Sequence, residues 1–254
     1  MEVVKVLIER GADVNQVQTD KDTGALHVAT LEGHKEIVEY LLSQGASVDL
    51  PGWYGMTPFM LGAAFGGNIE ICKILLRHGA QVDNNVLEVG TFDLTCLRGQ
   101  TDVVRWMLDN GMDTAVTIDY MIRSKKRDGH PAIAEMLMDS GLGPNEPGRD
   151  REAPIFACIE HDRFDILEVL VKRGADLNIV DKEGNVPLTA AATAGKVDMV
   201  AFLLGHGADL KSCQADLVAT LAATSRDGDV LEQFTKRGLG DMITEISVTG
   251  SGEK

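Results

Sequence analysis

Glycines recur along this chain about every 33 residues, each just after a stretch with apolar residues at helical spacing. The stretch at 36–49, EIVEYLLSQGASVD, has counterparts at 2–15, 165–178 and 198–210. A glycine after the last turn can adopt the left-handed conformation that commonly ends a helix. A fixed period of this length indicates a chain built from stacked helical repeats. The predicted capping glycines are Gly11, Gly45, Gly79, Gly111, Gly141, Gly174, Gly207 and Gly238.

A second motif lies upstream of several of these helices and predicts another helix in the same repeat. It occurs as GALHVATLEGH (24–34), TPFMLGAAFGG (57–67), APIFACIEHDR (153–163) and VPLTAAATAGK (186–196). A proline or small residue opens it, which suits a first helical turn because the N–H that proline lacks has no helical partner there. Paired small residues inside the motif allow two helices to approach closely.

These motifs resemble the ankyrin-repeat family, whose repeat runs through T-P-L-H, A-A, G-H and L-L-x-x-G-A. The resemblance implies an all-α solenoid of stacked helix-turn-helix pairs joined by short β-hairpin fingers, with about seven to eight units and an incomplete first one. We expect the solenoid to span residues 1–240 and residues 241–254 to form a partly disordered tail. The resemblance also implies that His27 hydrogen-bonds its finger turn, and that finger tips and inner helices line a concave protein-binding surface.

Besides the incomplete first repeat and a shortened last one, three repeats depart from the pattern. The third carries one extra residue within 57–67, and the fourth and fifth are the least regular. In the fifth, we place Ile118 in the leucine slot and Met121 and Ile122 in the paired small-residue slots. The alternative register would bury Lys125 and its lysine neighbour without partners, which is costly. The preferred register leaves the fifth finger nearly absent.

Charge and apolar content limit the partners that the chain can bind. The sequence has 39 Asp plus Glu against 24 Lys plus Arg, a formal net charge of −15. This field repels phosphate backbones, so we expect a basic or apolar protein or peptide partner and no nucleic acid. We find no apolar run of membrane-spanning length and no signal-peptide pattern, and thus expect no membrane association. Singly placed cysteines favour a cytoplasmic location, with a nuclear one as the alternative.

The candidate partner-binding residues are mostly at one predicted finger tip. Trp53, Tyr54 and Met56 fall at the exposed positions of the third finger, and Glu160 and His161 fall near the end of an inner helix. Rigid aromatic rings supply contact area at low entropic cost and dominate binding hot spots. Two other interpretations stay open: Trp53 could cover a neighbouring finger, or the rings and the apolar first repeat could mediate a homodimer.

A second hypothesis places a small-molecule site or an acid–base enzyme at the irregular fourth and fifth repeats. Asp93 and Asp119 occupy equivalent slots in adjacent repeats, where Tyr120 and Glu88 could join them around a notch. Two close carboxyl groups would split their pKa values, as isomerase-like or cyclase-like proton transfer requires. The simpler alternative is that each aspartate caps its own helix. Because no catalytic, cofactor or metal-binding motif is present, we expect no cofactor and no metal and favour a non-enzymatic scaffold.

Overall fold

The computed structural model is mostly helical and forms two compact units. Unit 1 comprises Met1–Val116 with Ser124–Met136, and unit 2 comprises Thr117–Arg123 with Leu137–Lys254. The described residues are 1–18, 22–82, 90–111, 118–124, 130–148 and 151–209. No helix within these ranges is long and apolar enough to cross a bilayer. The predicted tail at 241–254, the last repeat and its Gly238 lie outside them.

Unit 1 begins with a lone helix, which is followed by a short hairpin and then by helix pairs. The hairpin is antiparallel, with Val17 opposite Gly24. The elements of unit 1 are α1 (Glu2–Glu9), β1 (Val17–Gln18), β2 (Thr23–Gly24), α2 (Ala25–Leu31), α3 (Lys35–Ser43), a 3₁₀ turn (Trp53–Gly55), α4 (Pro58–Met60), a π-helix (Leu61–Gly66), α5 (Ile69–Arg77), α6 (Thr91–Leu97) and α7 (Thr101–Asp109).

Unit 2 contains the remaining helix pairs of the described chain. Its inner helices bury their apolar sides against the following helix, as Pro154 to Ile159 do in the sixth repeat. The elements are α8 (Asp119–Arg123), α9 (His130–Asp139, divided between the units after Met136), α10 (Pro154–Glu160), α11 (Phe164–Lys172), α12 (Pro187–Thr193) and α13 (Val197–Gly205).

The predicted capping glycines end their helices in the left-handed conformation wherever the structure describes them. Their φ angles run from 63° at Gly111 to 112° at Gly141. A side chain in this conformation is strained, which explains why glycine recurs there. The prediction from the glycine period is confirmed at Gly11, Gly45, Gly79, Gly111, Gly141, Gly174 and Gly207.

The outer helices pack on one another through the apolar face that the sequence predicts. In α5, Ile71, Cys72, Ile74 and Leu75 are all buried. Positions three and four residues apart lie on the same side of a helix, so these side chains form one stripe facing the neighbouring repeat. Each buried aliphatic side chain contributes about 1.5–3 kcal/mol relative to an exposed one.

The same type of hydrogen bond joins several pairs of consecutive repeats at the base of the fingers. Asn15 Oδ1 accepts the backbone N–H of Ser47 at 2.7 Å, and the Asp49 carboxylate accepts that of Gln81 at 3.0 Å. In unit 2, Asn145 and Asn178 accept the N–H groups of Asp176 at 2.9 Å and Asp209 at 3.0 Å. The asparagine or aspartate that ends each GADVN-type motif therefore holds the next repeat in register.

The register chosen for the fifth repeat is confirmed. Ile118, Met121 and Ile122 are all buried, with at most 2% of their surface exposed. Lys125 lies outside the described residues. Met121 and Ile122, both on the short helix α8, thus occupy the slots that small residues fill in other repeats.

The extra residue in the third repeat is accommodated by a π-helix at Leu61–Gly66. A π-turn contains one more residue than a standard helical turn, so the insertion widens the helix without shifting its flanks. Gly62 lies in this segment, and a Cβ added to it would be 2.9 Å from Thr30 Cγ2 of α2. The absence of a side chain at Gly62 therefore allows the widened helix to approach α2.

Candidate partner-binding surface

The third finger is closed by backbone hydrogen bonds that leave its two aromatic rings in solvent. Gly52 N–H donates to Met56 O at 2.9 Å, and Met56 N–H donates to Trp53 O at 3.1 Å. Trp53 and Tyr54 remain 53% and 62% exposed, with ring centroids 4.6 Å apart and ring planes inclined by 39°. The predicted exposure of both rings is confirmed, and they form one continuous aromatic patch.

Tyr54 adopts a left-handed backbone conformation, with φ 53° and ψ 25°. Gly55 follows with φ 75°. Left-handed residues are ordinarily glycine or asparagine, and other residue types there cost on the order of 1–2 kcal/mol. The finger therefore presents the Tyr54 ring at a cost to its own stability, and such strained residues cluster at functional sites.

The prediction that Met56 is an exposed contact residue is wrong. Met56 is 7% exposed and packs with Met60 and Leu61, with Phe65 and Leu94 partly buried against them. Met60 fills the slot that a histidine occupies in the preceding repeat, and it cannot hydrogen-bond the finger turn. An apolar side chain from the finger covers it instead, so Met56 anchors the finger on the π-helix.

His27 holds both the second and the third finger from α2, as the resemblance implied. Its Nδ1 accepts the N–H of Gly24 at 3.1 Å, and its Nε2 donates to Leu50 O at 2.8 Å. Burial lowers the pKa of His27 below its ordinary value of 6.5, an effect that backbone hydrogen bonds with Leu50 and Met56 partly offset. The neutral ring, with its proton on Nε2, is the form that fits this site.

This pKa shift predicts a pH-dependent stability for unit 1. The unfolded chain binds a proton at His27 at a higher pH than the folded chain does, so stability should fall as the pH drops below about 6.5. Urea unfolding followed by tryptophan fluorescence from pH 7.5 to 5.0 measures the effect. Replacing His27 with Gln should flatten the curve; an equally steep loss in the variant would assign it to other groups.

Gly52 allows the third finger to close over the His27 ring. A Cβ added to Gly52 would lie 2.6 Å from His27 Nε2, closer than any relaxed contact. We expect Gly52→Ala to displace the ring, break its bond to Leu50 and lower the free energy of unfolding by roughly 1–3 kcal/mol. Urea unfolding checks this, with Gly205→Ala as a control because nothing lies within 4 Å of a Cβ there. Equal stability of the two variants would contradict the steric argument.

The ends of the inner helices in unit 1 add apolar and charged groups to this surface. Leu31 is 40% exposed and Glu32 beside it is also exposed. Phe65 occupies the slot equivalent to Leu31 in the next repeat, and Arg98 of the fourth repeat lies over its ring, 4.3 Å from the centroid. The third finger and these helix ends belong to the same unit, and together they offer rings, aliphatic side chains and a carboxylate.

Glu160 and His161 stand at the end of α10 in unit 2, where the sequence placed them. Glu160 is exposed, and its Oε2 lies 3.8 Å from His161 Nε2, beyond hydrogen-bond range. Asp162 follows in the left-handed conformation, φ 58°, in the slot that glycine fills elsewhere. Its carboxylate lies 2.9 Å from Lys196 Nζ. The two predicted residues therefore border a charged turn rather than an apolar one.

Sequence reasoning missed the buried Arg163, which follows that turn. Its side chain is 0% exposed, and it forms a two-pronged pair with the Asp165 carboxylate at 2.9 and 2.8 Å. Its Nη1 also donates to the carbonyls of Met121 and Ile122 near the end of α8. Gln100 occupies the equivalent position in the fourth repeat, and its Nε2 donates to Ala64 O of the third repeat's inner helix at 3.1 Å. The position directly after the turn between the two helices was the sequence signal that could have identified Arg163.

The structure describes the residues of the enzyme hypothesis only in part, and that hypothesis stays a prediction. Asp93 is the third residue of α6 in unit 1, where the helix dipole favours a carboxylate. Asp119 begins α8 in unit 2, and its side chain and all of Glu88 lie outside the described part of the structure. Tyr120 is half-buried on α8. Cys96 lies on α6 with Asp93, and its pKa is raised by burial and, secondarily, by the Asp93 charge.

Glycine-capped helix pairs, joined at their bases by bonds spanning 31 or 32 residues, define a helical-repeat protein. The family model for ankyrin repeats (3 copies) matches residues 1–86 and 120–213. The chain therefore belongs to the ankyrin-repeat family, and its helix pairs fit a repeat solenoid. A comparison with curated proteins found no significant match.

Proposed function

We propose that this protein is a non-enzymatic scaffold that binds a partner protein or peptide on the finger and inner-helix surface of unit 1. Ankyrin repeats generally mediate protein–protein interactions. The observation that carries the proposal is the exposed Trp53–Tyr54 patch, because rings held in water forgo the gain of burial until a partner covers them. Met56 supports the finger from below and does not touch the partner.

The remaining properties of the partner follow from charge and position. The net charge of −15 favours a basic or apolar partner over nucleic acid or an anionic membrane. Glu160 and His161 are proposed as contacts on the corresponding face of unit 2. Cys72, Cys96 and Cys158 are buried thiols, which supports a cytoplasmic location, with a nuclear one as the alternative.

A crosslinking pull-down from cell extract tests the proposal. The intact chain is compared with the Trp53→Ala/Tyr54→Ala variant and with Val180→Ala, which removes an exposed apolar side chain from unit 2. We expect a specific protein to be captured by the intact chain and by Val180→Ala but lost from the double variant. Equal capture by all three would contradict the proposed surface.

A second copy of the chain is the alternative occupant of the patch. Helix α1 has no buried residue, and Val3 and Leu7 on it are 71% and 55% exposed. Light scattering of the intact chain and the double variant separates the two occupants. A dimer that becomes a monomer when both rings are removed would identify the patch as a self-association surface.

A further inference from the structure

Building on the proposed function, we propose that the Trp53–Tyr54 patch binds a basic segment of the partner, with an arginine or lysine side chain lying on the rings. Aliphatic residues of the same segment would contact the exposed end of α2. The partner is thus defined by its chemistry: positive charge beside aliphatic side chains.

The elements that contact the third finger carry negative charge. His27 of α2 hydrogen-bonds Leu50 in that finger, and a Cβ on Gly24 of β2 would lie 3.5 Å from Leu50 Cδ2. These two elements carry the exposed carboxylates Asp22 and Glu32 at their ends. Within the described residues, neither carboxylate forms an ion pair, so both are available to a cation from outside.

The faces of aromatic rings such as Trp53 attract cations. Tryptophan attracts an arginine or lysine side chain over its face more strongly than other rings do. Unit 1 already contains this contact, because the Arg98 guanidinium lies 4.3 Å from the centroid of Phe65. Trp53 is more than half exposed and has no such cation over it among the described residues. A partner arginine can supply one.

Helix α2, which His27 joins to the third finger, also exposes aliphatic side chains. Val28 and Leu31 lie on α2 and are 49% and 40% exposed. An acidic segment would meet Glu32 and Asp22, and a purely polar one would leave these aliphatic side chains in water. A segment with both positive charge and aliphatic residues satisfies the whole surface.

Charge also argues against a second copy as the occupant. Each chain carries a net charge of −15, so two copies repel each other as they approach. A basic segment is attracted by the same field, which raises its rate of association and makes binding sensitive to salt.

A selection from a random 12-residue phage-displayed library, panned on the intact chain, tests the inference. We expect enriched peptides to combine arginine or lysine with aliphatic residues. The tightest peptide is then synthesised, labelled and titrated by fluorescence anisotropy against the intact chain, Trp53→Ala, Glu32→Gln and Val180→Ala. We expect losses of affinity of about 30-fold for Trp53→Ala and severalfold for Glu32→Gln, and none for Val180→Ala.

The outcomes separate this inference from the proposed function. Enriched peptides that are neutral or acidic, yet lose affinity with Trp53→Ala, would overturn the basic partner and leave the scaffold intact. Peptides insensitive to Trp53→Ala, or no enrichment at all, would count against both. Dimerisation that is abolished by Trp53→Ala would assign the rings to a second copy and overturn the inference.

Discussion

Arg163→Ala is expected to lower the free energy of unfolding of unit 2 by about 3–5 kcal/mol. The guanidinium is fully buried and is matched by Asp165 and by the carbonyls of Met121 and Ile122. Its removal leaves a carboxylate without its cation and two carbonyls without a donor. Helix α8 has only five residues, and this guanidinium is the donor for two of its carbonyls.

Urea unfolding monitored by circular dichroism and by tryptophan fluorescence measures this effect in the intact chain. Both tryptophans, Trp53 and Trp106, lie in unit 1, so an early loss of helix signal with unchanged fluorescence assigns the damage to unit 2. The double variant Arg163→Gln/Asp165→Asn removes both charges and should lose less than the sum of the single changes. A cost below about 1 kcal/mol for Arg163→Ala would contradict a structural role.

Tyr54→Asn is expected to stabilise the free protein by about 1 kcal/mol while abolishing capture of the partner. Asparagine tolerates the left-handed conformation that Tyr54 adopts, so the substitution relieves strain. It also removes a ring that is 62% exposed and thus contributes little to the folded state. Opposite signs for stability and binding are the signature of a residue kept for contact rather than for packing.

Thermal unfolding and the pull-down, performed on the same preparation, measure both quantities. Trp53→Ala is the matched comparison, because Trp53 also has an exposed ring but does not adopt the left-handed backbone conformation. This variant should lose the partner without gaining stability. A Tyr54→Asn variant that is less stable than the intact chain would mean that the ring packs on the fold. A variant that still captures the partner would remove Tyr54 from the contact surface.

Repetition made much of the fold predictable from the sequence. The capping glycines follow from a local backbone requirement that each repeat meets independently, so seven of them could be placed by spacing. The register of the fifth repeat followed from the cost of burying Lys125 without a partner, and the burial of Ile118 confirms it. The extra residue in the third repeat was visible in the sequence, but its accommodation by a π-helix was not.

The candidate site was less predictable because burial depends on neighbours that vary between repeats. Met56 stands at a position that the family usually exposes, and it is buried because Met60 replaces a histidine beneath it. Arg163 ends the polar run EHDR at 160–163, and nothing in that run indicates burial. Its burial depends on Asp165 and on the carbonyls of Met121 and Ile122, about 40 residues earlier. Such couplings between distant substitutions are not encoded in the repeat pattern.

Hydrogen–deuterium exchange of the intact chain, alone and saturated with the tightest selected peptide, locates the partner-binding surface. We expect protection to appear in the third finger and its π-helix, residues 48–67, and in α2. Val180 and the rest of its finger should exchange as in the free chain. Protection confined to the outer helices, or to unit 2, would contradict the assignment of Trp53 and Tyr54 as the partner-binding surface.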